Sequence, residues 1–182
     1  YFDLCSFTKS HILAPQILRY LSRPFTLQNV GYNKLLYKDS AISFDLSQAV
    51  KRGKAHHIII LAKNLTGIRN LYELVSASHL KYFNRTPRIP KSLLTEKRDG
   101  LILGSACEAG ELMRAIVNEE DEDKIKNIVS FYDYLEIQPI GNNQYMKTDD
   151  EFENISTDED LKNLNKKIVK LGEKYQKPVC AT

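Results

Sequence analysis

Short apolar runs alternate with amphipathic helical segments along residues 56–181, and this alternation constrains the fold more than any other feature of the sequence. The run at 56–62 is rich in β-branched residues, which is typical of a strand that is buried on both faces. Apolar side chains then recur at helical spacing over 68–78. Further strands are predicted at 100–104, 134–138 and 177–181. The alternation predicts an α/β fold with parallel strands.

Capping residues indicate where two of the helices start. The Ser-Ala-Cys-Glu sequence at 105–108 has the spacing of a capping box, which predicts a helix that begins at Ser105. Thr157 precedes three acidic residues and predicts a helix start that suits the helix dipole. The buried face of that helix is predicted to comprise Leu161, Leu164, Ile168 and Leu171. Between these elements we expect a short helix at 92–98, a helix at 119–132 and a loop at 141–156.

Length, apolar stretches and cysteine content indicate a single domain with neither a membrane-spanning helix nor a disulfide framework. The 182 residues suffice for one medium domain with a real core. No apolar stretch approaches the roughly 20 residues that a membrane-spanning helix needs. Cys5, Cys107 and Cys180 are odd in number and widely spaced, which favours a reducing cytoplasm over a disulfide framework. We interpret Cys5 and Cys180 as packing residues.

Charge is distributed unevenly along the chain. Residues 1–98 contain 16 Lys and Arg against 5 Asp and Glu, whereas residues 99–182 contain 10 against 18. A basic half suits an anionic partner such as nucleic acid, although basic and acidic faces that meet in the fold explain the pattern as well. Arg85 and Arg88 lie beside Pro87 and just after Tyr82 and Phe83. This basic and aromatic loop predicts a nucleic-acid or domain contact; the alternative is a proline-stiffened loop with solvated arginines.

Few residues are candidates for chemistry. The sequence has no P-loop, GxGxxG, HExxH or GxSxG motif. His56 and His57 open a predicted strand, where adjacent side chains face opposite sides, so only one of them faces a given pocket. Cys107 follows a predicted strand, and a helix N-terminus there favours the thiolate. The structural alternatives are a strand-end histidine and a small buried cysteine.

A long ordered series of motifs gives a more specific indication. It includes His-Ile-Ile-Ile-Leu-Ala-Lys-Asn at 57–64, Ser78-His79, Tyr82-Phe83, Pro87-Arg88-Ile89-Pro90, Gly104-Ser105-Ala106-Cys107, Phe-Tyr-Asp-Tyr-Leu-Glu at 131–136 and Lys-Pro-Val-Cys-Ala-Thr at 177–182. This series resembles the PHP region of PolC-type bacterial DNA polymerase III, over about residues 51–182.

The resemblance implies a distorted barrel of alternating strands and helices, with a metal cluster at one mouth. His57 and Cys107 match two of the family's ligand positions, and His57 is favoured over His56. The implied cofactors are zinc or manganese in the PHP site and magnesium for the parent polymerase. The parent is expected to be a cytoplasmic DNA-directed DNA polymerase that reaches DNA and other replisome domains, with no membrane partner. No catalytic residue is predicted in this chain, which alone should be inactive.

The domain boundaries follow from the same resemblance. Residues 1–50 remain an unassigned N-terminal segment or linker, and residues 51–182 are expected to form a partial PHP domain that stops before its last metal-ligand motif. Two other functions stay open: a metal-dependent phosphoesterase of the PHP family and a non-catalytic interaction module.

One geometric difficulty attaches to the predicted metal site. His57 opens its strand while Cys107 follows its own, so parallel strands would place the two at opposite ends. A loop position or an antiparallel pairing would bring them together. Ligands of one metal should then have their donor atoms within about 4 Å of each other.

Overall fold

We describe residues 2–3, 50 and 53–182 from a computed structural model. The strands are β1 (Phe2–Asp3), β2 (His56–His57), β3 (Ile59–Ala62), β4 (Arg88–Ile89), β5 (Leu101–Gly104), β6 (Leu135–Ile137) and β7 (Val179–Ala181). The α-helices are α1 (Leu65–Leu80), α2 (Lys91–Glu96), α3 (Glu111–Val117), α4 (Glu122–Phe131) and α5 (Asp158–Tyr175). The order confirms the α/β class. The predicted features of residues 4–49 lie outside the described residues.

Strand direction differs from the prediction. The described strands form three small sheets, ordered β2-β1-β4, β3-β5 and β6-β7, and none of them closes into a barrel. β1 pairs in parallel with β2, and β6 with β7, but β3 pairs antiparallel with β5 and β1 antiparallel with β4. The expectation of parallel strands throughout was therefore wrong. A single crossover helix would make β3 and β5 parallel. Between these strands the chain instead contains two helices and β4, and the two strands run in opposite directions.

Burial along β3 also corrects the sequence interpretation. The apolar run divides at Ile58 into β2 and β3. Ile58 and Ile60 are fully buried in the core, whereas Leu61 on the opposite face is 46% exposed. Side chains alternate across a strand, and α1 packs on one face of β3. The run is thus buried on one face, not on both as its composition suggested.

The position of α1 is fixed by its N-cap and by close contact between its backbone and that of Gly100. Asn64 caps α1 by accepting a hydrogen bond from the Gly67 amide at 2.9 Å. A Cβ at Gly67 would lie 1.9 Å from the carbonyl oxygen of Gly100, so only glycine fits against β5 there. Leu74 and Ser78 then lie in the core. The N-terminus of α1 is therefore fixed at the start of β5.

The second half of the chain follows the prediction at α5. Thr157 accepts a hydrogen bond from the Asp160 amide, and Asp160 reaches back to the Thr157 amide, which completes a capping box. Leu161, Leu164 and Ile168 are buried as predicted, whereas Leu171 is only partly buried against the core. The predicted loop at 141–156 instead contains 3-10 helices at Ile140–Lys147 and Asp150–Phe152, because Met146 and Phe152 anchor it in the core. No helix among the described residues is long and apolar enough to cross a membrane.

Candidate metal centre

His57 and Cys107 meet at one end of the β3–β5 sheet. Nδ1 of His57 lies 3.2 Å from Sγ of Cys107, although 50 positions separate the two residues in sequence. This distance is within the roughly 4 Å expected for two ligands of one metal ion. The structure thus brings the two predicted residues together.

The antiparallel register explains why they meet. Ile59 pairs with Gly104, so the beginning of β3 lies beside the end of β5. His57 precedes Ile59 by two positions and Cys107 follows Gly104 by three. Both residues therefore extend past the same edge of the sheet, and the difficulty raised by parallel strands does not arise.

The loop at 105–110 then turns Cys107 towards His57. Ala106 has a φ of +59°, an uncommon backbone conformation for a residue with a side chain. The Gly110 amide donates to the Cys107 carbonyl at 2.9 Å, and the His57 amide donates to the Ala109 carbonyl at 2.9 Å. A Cβ at Gly110 would lie 2.3 Å from the Ser105 carbonyl oxygen. The loop therefore requires glycine at its end and stores backbone strain beside the cysteine.

Two expectations about this loop were wrong. The helix begins at Glu111 with Gly110 as its N-cap, not at Ser105. The hydroxyl of Ser105 accepts instead from the amide of Glu136 at 2.9 Å, and no side chain caps the helix at Gly110. Cys107 consequently does not lie at a helix N-terminus, and burial raises the pKa of its thiol from 9.0 to about 11. In the metal-free chain the thiol, not the thiolate, is the stable form.

His56 and His57 have different surroundings, as expected for neighbours in a strand. Nδ1 of His56 is buried without a hydrogen-bond partner among the described residues. Burial lowers the pKa of His56, while the carboxylate of Glu111 acts in the opposite direction. The contact with Cys107 belongs to His57 alone of the two.

A buried carboxylate near the loop was missed by sequence reasoning. Glu136 is only 5% exposed, and its Oε1 has no hydrogen-bond partner among the described residues. That oxygen occupies the space over Gly104, 2.4 Å from where a Cβ would stand, with the Tyr134 ring beside it. Burial raises the pKa of Tyr134, and the Glu136 carboxylate raises it further. A charged residue inside a predicted strand was the available signal.

The donors at the site suit a metal ion in kind but are few in number. An imidazole nitrogen and a cysteine sulfur are both zinc ligands, and structural zinc sites have four ligands. Among the residues that the structure describes, no group of three or more His, Cys, Asp or Glu side chains could hold a metal ion. The described residues thus offer two candidate donors here, fewer than the four of a structural zinc site.

The remaining candidates lie elsewhere. One guanidinium nitrogen of Arg88 donates to the carbonyls of Val50 and Gly53 at 3.2 and 2.9 Å, which ties the β4 strand to the preceding segment. Arg85 is exposed and has a φ of +61°. Their contact with nucleic acid or another domain remains a prediction. Cys180 is exposed on β7, so its interpretation as a packing residue was wrong, and Cys5 lies outside the described residues.

Comparison with known families identifies the family of this chain. The family model described as "PHP domain" matches residues 26–139, which include both His57 and Cys107. The chain belongs to the PHP domain family. The match begins upstream of residue 51, where the sequence interpretation placed the domain boundary, and that boundary remains a prediction.

Three curated relatives of this chain share one name. The chain is similar to "DNA polymerase III PolC-type" of Clostridium perfringens, with 56% identity over 133 residues, 73% of this chain and 9% of the relative. The protein of the same name from Caldanaerobacter subterraneus is 47% identical over 156 residues, 86% of this chain and 11% of the relative. For Bacillus subtilis the identity is 44% over 136 residues, 75% of this chain and 9% of the relative. The chain spans about a tenth of the length of these relatives.

Proposed function

We propose that this chain is the PHP segment of a PolC-type replicative DNA polymerase, with a structural and metal-binding role. High identity to several polymerases of that name, over most of this chain, supports the assignment. The three small sheets would be part of a distorted barrel, which other parts of the polymerase would complete. The parent would extend DNA with magnesium, in the cytoplasm, beside other replisome domains.

The observation that carries the metal-binding role is the 3.2 Å separation of His57 Nδ1 and Cys107 Sγ. We infer that these atoms are two ligands of a divalent cation. Thiolate sulfur is a soft ligand, so the pair favours zinc over manganese. The remaining ligands would come from water or from residues outside the described part of the chain.

The protein's own residues prepare the site. The hydrogen bond from the His57 amide to Ala109 fixes the loop against β2, and the strained Ala106 directs the chain so that Cys107 faces the imidazole. When bound, the cation would supply the positive charge that stabilises the Cys107 thiolate, whose pKa burial otherwise raises. His57 and Cys107 would then join the sheet and the loop through shared coordination.

A cobalt titration tests this assignment. Co²⁺ bound by a thiolate gives a charge-transfer absorption in the near ultraviolet, which we expect for the 182-residue chain and not for Cys107→Ser. His57→Ala should weaken cobalt binding by about tenfold or more, which is the scale of losing a supporting group at a metal site. Cys180→Ser and His79→Ala, each altering an exposed residue of the same type, should leave the band unchanged. A band that survives Cys107→Ser, or that Cys180→Ser removes, would refute the site.

Primer extension tests the polymerase assignment separately. The protein encoded by the complete reading frame should extend a primer with Mg²⁺ and nucleotides, whereas this chain alone should not. Hydrolysis of a phosphomonoester by the metal-loaded chain, with a reading frame that lacks polymerase sequence, would favour the phosphoesterase alternative.

A further inference from the structure

The outer face of α1 carries an ordered stripe of cationic and ring-bearing side chains. Arg69, Tyr72, Ser76 and His79 follow one another at intervals of three, four and three residues, so they lie on one face of the helix. Phe83 continues the stripe beyond the helix, because its ring centroid lies 6.4 Å from that of His79 with the planes inclined by 30°. We call these five residues the α1 stripe.

The stripe lies on a part of the helix that the core does not use. Leu74, on the other face, is completely buried, whereas Tyr72 is 37% and Phe83 48% exposed. Leu65 and Leu80, which border the stripe, are each more than 80% exposed. This face of α1 therefore presents two rings and two leucine side chains to solvent.

Positive charge predominates around the stripe. Residues 53–98 contain nine Lys and Arg but only two acidic residues, Glu73 and Glu96. Both acidic side chains contact Lys97. Four other basic residues are engaged by an ion pair or by backbone carbonyls: Lys54, Arg88, Lys91 and Arg98. The other four are exposed, and they are Lys63, Arg69, Lys81 and Arg85.

These four cations accompany the stripe along its length. Lys63 precedes α1, Arg69 lies in its second turn, and Lys81 is its C-cap residue. Arg85 stands at the tip of a tight turn, between Asn84 and Thr86, whose backbones bridge each other. Arg85 has a left-handed backbone, uncommon for a residue with a side chain, and is exposed two positions after Phe83.

We propose that the α1 stripe and its four cations bind single-stranded nucleic acid. Lysine and arginine contact the phosphates, and exposed rings stack on unpaired bases, which is how sequence-tolerant single-strand binders work. Duplex DNA would satisfy the cations only, because its bases are already stacked. The site is separate from His57 and Cys107 and does not depend on metal binding.

Fluorescence anisotropy with a labelled oligothymidine of about 20 nucleotides tests the proposal. Affinity should fall about 50-fold between about 50 and 200 mM salt, for four phosphate contacts at a logarithmic slope of about −0.7 each. Arg69→Ala with Arg85→Ala should make that slope shallower by about 1.4, because two contacts are lost. Tyr72→Ala with Phe83→Ala should weaken binding by about tenfold or more with the slope unchanged, because stacking is not electrostatic.

Matched controls separate this surface from charge in general. Lys167→Ala with Lys170→Ala removes two exposed cations from α5 and should leave both affinity and slope unchanged. Each variant should retain the cobalt absorption of the parent chain, which shows that its fold is intact. If the parent chain itself shows no cobalt absorption, that result would count against the metal centre and not against this surface.

Three outcomes would overturn the proposal. One is affinity that is independent of salt, or that is equal for duplex and single strand. Another is ring variants that bind as well as the parent chain. The third is sedimentation behaviour showing self-association, abolished by Tyr72→Ala with Phe83→Ala, in a chain that does not bind oligothymidine; that result would identify the face as a protein-docking surface.

Discussion

The candidate metal centre and the α1 stripe are built in opposite ways. His57 and Cys107 come from segments 50 positions apart and meet only because β3 and β5 pair in one register. The stripe comes from consecutive turns of α1 and from Phe83 just after the helix, and its Tyr72 and Phe83 are exposed. The first region depends on long-range strand pairing, whereas the second depends on the local spacing of one helix. Substitutions at or beneath the candidate metal centre should therefore lower the free energy of unfolding, whereas substitutions in the α1 stripe should not.

The sharpest version of this contrast lies within α1 itself. Leu74→Ala should lower the free energy of unfolding by about 3 kcal/mol, because it leaves a cavity in the fully buried face. Leu80→Ala makes the same chemical change on the exposed side and should cost less than about 0.5 kcal/mol. Urea denaturation of both variants measures the difference. Similar losses would mean that the outer face of α1 is packed after all.

A glycine pair tests the metal-centre loop. Gly110→Ala should cost about 2 kcal/mol, because the new Cβ would lie 2.3 Å from the Ser105 carbonyl oxygen and 2.9 Å from that of Cys107. Gly141→Ala is the control, since nothing lies within 4 Å of its Cβ position, and it should change stability by less than about 0.5 kcal/mol. Chemical denaturation of the metal-free chain provides the measurement. Equal stability of the two variants would show that the loop does not hold Cys107 by close backbone packing.

The pH dependence of thiol alkylation gives a smaller effect. Burial raises the pKa of Cys107 from 9.0 to about 11, so its proton stays bound to a higher pH in the folded chain than in the unfolded one. At pH 8 the native, metal-free Cys107 should react with iodoacetamide about tenfold more slowly, or slower still, than in urea. Exposed Cys180 should react readily in both states. Peptide mass spectrometry distinguishes the two thiols, and equal native rates would contradict the buried environment.

The same pKa fixes the sign of a stability effect. The neutral thiol of Cys107 contributes stability below pH 9.0, and that contribution is lost as the pH rises through about 11. Cys107→Ser should remove this part of the alkaline decline in stability. A decline that is unchanged in the variant would place its origin in other groups.

How much the sequence revealed depended on the range of the interactions. The capping box of Thr157 and Asp160 is complete within four residues, so local spacing predicted it correctly. Ser105 had equally good spacing, but its hydroxyl is occupied by the amide of Glu136, which comes from a strand about 30 positions away. A local pattern cannot detect such a distant competitor. The same limit applies to burial along β3 and to the buried Glu136 side chain, whose Oε1 has no hydrogen-bond partner among the described residues.

The candidate metal ligands show a different limit. The pairing of His57 with Cys107 was anticipated from family resemblance, whereas the antiparallel direction that makes it possible was only one of the alternatives considered. Hydrophobic periodicity indicates that a strand exists but not which way its partner runs. The strand at Phe2–Asp3, which pairs with β2 and β4, was not predicted, because two residues carry no periodic signal.

The β3–β5 ladder also has a consequence for the order of folding. It joins Ala62 to Leu101 and encloses α1, β4 and α2, a loop of about 40 residues whose closure costs about 3 kcal/mol of chain entropy. Helices form from local contacts within microseconds, so α1 can appear before that loop closes. His57 and Cys107 approach each other only when the ladder is in register. In a refolding chain, α1 should therefore form before His57 and Cys107 come together. A metal ion would bind only after β3 and β5 have paired.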